Sequence, residues 1–77
     1  MEKILIIDDD RLSLKVIKEI LSKIGYKTLE ADNGEAGLAL VRSEHPDLVI
    51  TDFQMPGIDG LEVLYEIRKL KIGLPVI

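Results

Sequence analysis

Short apolar runs alternate along this chain with stretches of helical period. Ile4-Leu5-Ile6-Ile7 and Leu48-Val49-Ile50-Thr51 have strand length and β-branched character, so residues 3–8 and 47–52 read as buried strands rather than helices. Tyr26 to Ala31 is more polar, which predicts a strand at the edge of the sheet. Gly73 breaks the preceding pattern, and Leu74-Pro75-Val76-Ile77 begins a fourth apolar strand.

Between the first two strands, Val16, Ile17, Ile20, Leu21 and Ile24 are expected to form the buried face of a helix. Lys15, Lys18, Glu19 and Lys23 lie largely opposite, and Gly25 supplies the C-terminal stop. Asp32-Asn33-Gly34 marks a turn, after which Glu35 to Ser43 reads as a short helix that stops before Pro46. Phe53 to Asp59, with Pro56 and Gly57, reads as a loop. Asp59 with Glu62 fits a capping pattern and opens a helix to about Leu70, with Val63, Leu64, Ile67 and Leu70 as its buried stripe. The order β-α-β-α-β-α-β implies right-handed crossovers, hence an α/β fold with a parallel sheet and helices on both faces. No repeat, low-complexity segment or interdomain linker is visible, so residues 1–77 read as part of a single domain.

Composition narrows the function classes. A chain of 77 residues holds one domain with a modest core, and its 47% hydrophobic residues are ample for a globular one. The net charge of −4 argues against direct nucleic-acid binding and against a membrane-surface role. With no cysteine, disulfides and thiolate metal sites are excluded. No apolar stretch approaches membrane-spanning length and the N-terminus lacks a signal-peptide pattern, so a cytoplasmic location is expected. Because the sequence stops at Ile77 within an apolar strand, a truncated or engineered chain is expected.

Both apolar runs end in acid: Asp8-Asp9-Asp10 follows the first and Asp52 the third strand. A parallel α/β sheet gathers ligands at the carboxyl ends of its strands. If these two strands are neighbours, Asp8, Asp9 and Asp52 converge in one crevice, a repulsive arrangement that points to a cation or to chemistry. Asp10 reads instead as the N-cap of the first helix and Asp59 as a cap, with Gly60 allowing close packing of loop on helix. His45, before a proline at a helix end, reads as a solvated C-terminal residue. It is the sole histidine, which argues against a histidine metal site or a phosphohistidine. Phe53 fits either ligand contact or loop packing.

Taken in order, Ile4 to Asp10, Ala31-Asp32-Asn33-Gly34-Glu35-Ala36, Asp47 to Gly60 with its Asp-x-x-Met-Pro-x-x-Asp-Gly segment, and Leu74 to Ile77 resemble the receiver domain of two-component response regulators. The resemblance implies a partial flavodoxin-like, three-layer fold with strand order 2-1-3-4, lacking the C-terminal part of the domain. It further implies that Asp52 is the phosphoryl acceptor and also a metal ligand, that Asp9 ligates Mg²⁺ directly with Asp8 helping through water, and that Gln54 lends the metal its backbone carbonyl. Met55-Pro56 would shape the loop that offers this carbonyl. Magnesium favours such a set, since it takes near-octahedral oxygen ligands and retains several waters. The implied partner is a sensor histidine kinase, and the implied role is phosphorelay signalling rather than enzymology, beyond the domain's own phosphorylation and dephosphorylation.

Two residues of the family pattern have no match: a Ser or Thr ending strand four and a Lys ending strand five. Lys3 and Lys27 fall at strand starts, Lys15, Lys18 and Lys23 on the first helix, and Lys69 and Lys71 near the end of the third, so none replaces it. Impaired switching is therefore expected. One alternative is an assembly unit that self-associates or swaps strands through its exposed fourth strand and core face. Another is a phosphohydrolase with an aspartyl nucleophile. The latter is disfavoured because no further catalytic acid, base or strand-end lysine is apparent.

Overall fold

The computed structural model describes residues 2–52, 60–70 and 73–77. Its elements are β1 (Lys3–Ile7), α1 (Arg11–Ile24), β2 (Lys27–Ala31), α2 (Gly34–Glu44), β3 (Leu48–Thr51) and α3 (Gly60–Leu70). The strands are parallel in the order β2-β1-β3, so β1, the most apolar run, takes the centre and the more polar β2 an edge. Beyond β3, residues 75–77 continue the sheet. Val76 forms a parallel bridge with Val49, the Val49 amide donates to the Pro75 carbonyl (3.0 Å), and the Ile77 amide donates to the Val49 carbonyl (2.8 Å). This is the expected fourth position, reduced to a bridge.

Alternation along the strands divides the core between the two faces of the sheet. Leu5, Ile7 and Val49 point to one face, where Leu38 and Val41 of α2 and Val63 and Ile67 of α3 cover them. Ile4 and Ile6 point to the other, against Leu14, Ile17 and Leu21 of α1. Helix α2 approaches β1 so closely that a Cβ at Gly37 would clash with Ile7 Cδ1 and lie 2.8 Å from its Cγ1. Glycine here is a packing requirement, not a conformational one.

The helix ends follow from local chemistry. Asp10 caps α1 and Gly25 ends it in the left-handed region (φ 111°), its amide donating to Leu21 and Ser22 carbonyls. Asn33 caps α2 by accepting from the Ala36 amide at 2.8 Å. The expected turn at residues 32–34 is therefore the entry to α2, which runs from Gly34 rather than Glu35. His45 ends α2 in the left-handed region (φ 50°) and is exposed, as expected of it.

The expected buried face of α1 needs correction. Ile17 and Leu21 pack on the sheet, but Val16, Ile20 and Ile24 are 47%, 54% and 66% exposed, and the fully engaged residue is Leu14. Lys18 reaches Glu30 of β2 at 3.2 Å, which marks the flank of the helix that faces β2. Its opposite flank, carrying Ile20 and Ile24, turns toward the β3 side, where no described helix stands. In α3 the stripe is likewise narrower than expected: Val63 and Ile67 are buried, Leu64 is half-buried and Leu70 is 42% exposed.

Candidate metal centre and its relatives

Sheet hydrogen bonds carry the two acid-terminated strands past their formal ends. The Asp8 amide donates to the Ala31 carbonyl at 3.1 Å, tying the residue after β1 to β2. The Asp52 amide donates to the Ile7 carbonyl at 3.0 Å, tying the residue after β3 to β1. With Ile7 in register with Thr51, Asp8 and Asp52 emerge side by side at the carboxyl edge of the sheet. Their placement is thus inherited from backbone pairing.

The side chains converge. One carboxylate oxygen from each of Asp8, Asp9 and Asp52 lies within 4.8 Å of the other two, with Asp8 and Asp52 half-buried and Asp9 exposed. Octahedral Mg²⁺ at about 2.1 Å from each ligand separates its oxygens by roughly 3 to 4 Å. The observed spacing is close to this, and hard carboxylate oxygens are the donors such an ion takes. The residues present therefore fit a divalent cation. Gln54, Phe53, Met55, Pro56 and Asp59 lie outside the described residues.

Asp10 is the cap expected of it. Its Oδ1 accepts from the Leu12 amide at 3.1 Å and its Oδ2 from the Ser13 hydroxyl at 3.0 Å, so both oxygens serve the first turn of α1. The Asp10 amide in turn donates to Asp8 Oδ1 at 2.9 Å. Ser13 is a member of this network that the sequence reading passed over, although its spacing three residues after an Asp cap was the available signal. Thr51 was also passed over: it is buried, and its hydroxyl donates to the Asp52 carbonyl at 3.3 Å. It is the buried polar residue among the described positions, directly before Asp52.

Lys3, Lys18 and Lys69 are engaged away from the acids, whereas Arg11 pairs at the same carboxyl edge of the sheet. Lys3 binds the Glu44 carbonyl (3.0 Å) and carboxylate (3.5 Å) at the opposite edge of the sheet. Lys18 pairs with Glu30, and Lys69 pairs with Glu66 at 3.6 Å. Arg11 lies 3.8 Å from Asp32, at the carboxyl end of β2.

A parallel α/β sheet with three acids at its carboxyl edge places them where such sheets gather ligands. The family model for the response regulator receiver domain matches residues 4–77, and the chain belongs to that family. It is 41% identical over 76 residues to sporulation initiation phosphotransferase F of Bacillus subtilis (strain 168), covering 99% of this chain and 61% of that one. Among solved structures it is similar to the response regulator TrrA in complex with the histidine kinase ThkA (TM-score 0.92, 45% identity, 99% of this chain and 66% of that one). It is also similar to TrrA from Thermotoga maritima in complex with Mg²⁺–BeF (TM-score 0.89, 48% identity, 92% and 62%). The chain thus spans under two thirds of the length of each of these relatives. It is a receiver module of two-component signalling, with the partial flavodoxin-like fold expected. Among the described residues, no helix is long and apolar enough to cross a membrane.

Proposed function

We propose that residues 1–77 are the N-terminal part of one receiver domain, which binds Mg²⁺ and accepts a phosphoryl group on Asp52 from a histidine kinase. The observation carrying this reading is the convergence of Asp8, Asp9 and Asp52 at the carboxyl edge of the sheet. The complexes of TrrA with ThkA and with Mg²⁺–BeF support it by analogy with a relative. A cytoplasmic location goes with this role.

In this reading an Asp52 carboxylate oxygen attacks the phosphorus of phosphohistidine. An O–P bond forms as the N–P bond breaks, and the leaving imidazole takes the electron pair. Asp8, Asp9 and Asp52 would hold the cation, with the Gln54 carbonyl as a further ligand. When bound, Mg²⁺ offsets charge on the transferring phosphoryl group and draws the anionic donor to the anionic acceptor. The sheet hydrogen bonds at Asp8 and Asp52 fix the two sides of the site before any ligand arrives, which is the positioning such a transfer needs. The role is that of a signalling module, with self-phosphorylation and slow hydrolysis as its only chemistry.

Incubation with acetyl phosphate and Mg²⁺, followed by intact-mass measurement, tests this. The wild-type chain is expected to gain one phosphoryl group, and Asp52→Asn none. An equal gain in Asp52→Asn would overturn the assignment, and no gain in the wild type would overturn the reading that these residues accept a phosphoryl group without the strand-five lysine.

A further inference from the structure

The acids of the candidate metal centre are mechanically joined to the start of α1, and Asp10 is the joint. Its amide holds Asp8 Oδ1 at 2.9 Å, which fixes the side chain of a proposed cation ligand. Its carboxylate holds the Leu12 amide and the Ser13 hydroxyl, and its carbonyl accepts from the Leu14 amide at 3.1 Å. Leu14 is in turn the α1 residue buried against Ile4 and Ile6. Asp9 lies between Asp8, pinned to β2, and Asp10, pinned to α1, so its backbone is held from both sides. The first turn of α1 contains no acid of its own, so the cap is the carboxylate that answers the positive end of this helix.

We infer that Asp10 is a positioning residue for the cation site, acting with Ser13 and not as a ligand. The inference rests on the proposed function and deepens it. A carboxylate committed at both oxygens to a helix terminus loses those bonds if it turns to a cation. It serves the site by limiting the conformations of Asp8 and Asp9 that binding would otherwise have to order. Groups that orient metal ligands are typically worth roughly ten- to a hundredfold in affinity, and the exposure of this network places Asp10 at the lower end.

The test is calorimetric titration of MgCl₂ into the full 77-residue chain and four variants. Asp10→Ala is expected to raise Kd about tenfold. Asp10→Asn, an equally good cap, removes the charge but keeps an oxygen for the Leu12 amide and offers an NH₂ that can donate to the Ser13 hydroxyl, so its Kd should stay within about 1.5-fold of wild type. Ser13→Ala removes one bond with no change of charge and should raise Kd about threefold. Asn33→Ala removes a cap of the same kind from α2, one that does not bond Asp8, and should lower thermal stability while leaving Kd unchanged. In the wild type, Mg²⁺ should also slow hydrogen exchange at the Leu12 and Ser13 amides.

An unchanged Kd in folded Asp10→Ala would overturn the inference. So would an Asp10→Asn as weak as Asp10→Ala, because charge would then be the cause. Should circular dichroism show Asp10→Ala unfolded, Ser13→Ala decides: a threefold loss supports the inference and an unchanged Kd overturns it. A folded wild type that binds no Mg²⁺ would remove the metal-site reading itself, and the inference with it. Wild-type binding that Asp10→Ala leaves intact would remove only the inference.

Discussion

The two faces of the sheet are built from the same strands yet finished differently. On one, α2 and α3 together cover Leu5, Ile7 and Val49, all with no exposure. On the other, α1 alone shields Ile4 and Ile6, while Leu48 and Ile50 of β3 remain half-buried. Ile4, Leu21, Tyr26, Leu48, Ile50 and Pro75 line an open groove there. Burial is therefore not a property of a strand's hydrophobicity. Val49 and Ile50 are neighbours of equal apolar character, and a helix stands over only one of them.

This contrast is sharpest in the core. Leu5→Ala, on the doubly covered face, is expected to cost about 3 kcal/mol, through lost transfer energy plus a cavity that packed neighbours cannot fill. Ile50→Ala should cost about 1 kcal/mol, because its side chain already meets water and leaves no closed void. Chemical denaturation of both variants checks the difference. Equal costs would mean that something covers the β3 side of α1 in solution.

Next in size is the close approach of α2 to β1. Gly37→Ala raises helix propensity by up to about 1 kcal/mol, yet its methyl meets Ile7, which is fully buried and has no room to retreat. Overpacking of this kind costs about 1 to 3 kcal/mol, so a net loss of about 1 kcal/mol is expected, read from the shift in denaturation midpoint. A stabilised Gly37→Ala would show that this face is looser than its packing implies.

Smaller effects belong to the surface. His45→Gly should stabilise the fold by about 0.5 kcal/mol, because His45 closes α2 in a left-handed conformation that favours glycine. A thermal melt in which this variant falls below wild type would contradict it. Smallest of all, Ile20→Ser on the uncovered flank of α1 should change stability by less than about 0.5 kcal/mol at any protein concentration. Melts at several concentrations check this, since an effect that grows with concentration would indicate a second copy lying on that flank.

Much of the site was legible along the chain. Acid directly after a buried apolar run places a carboxylate at a strand end, and both runs are apolar enough to be recognised without tertiary context. Asp10 as a cap, Gly25 as a stop and β2 as an edge were equally readable, because each depends on a residue and its immediate neighbours. The Asp10-to-Asp8 bond spans only two residues, yet an Asp side chain either turns to a nearby amide or stays in water, and the chain alone does not choose. The pairing of Arg11 with Asp32 was not legible, for it depends on a helix start meeting a strand end distant in sequence.

By itself, then, the sequence determined the element order, the caps Asp10 and Gly25 of α1, the family and which acids end which strands, since these are written in local periodicity and short spacings. Tertiary structure alone decided that β1 and β3 are neighbours in a register that sets Asp8 beside Asp52. It also decided which flank of α1 is buried. Val16, Ile20 and Ile24 are as apolar as Leu14, Ile17 and Leu21, and a helical repeat records that a stripe exists without recording where its partner stands. The rotation of α1 is set by packing on the sheet, through Leu14, Ile17 and Leu21 against Ile4 and Ile6, and those contacts exist only once the strands have assembled.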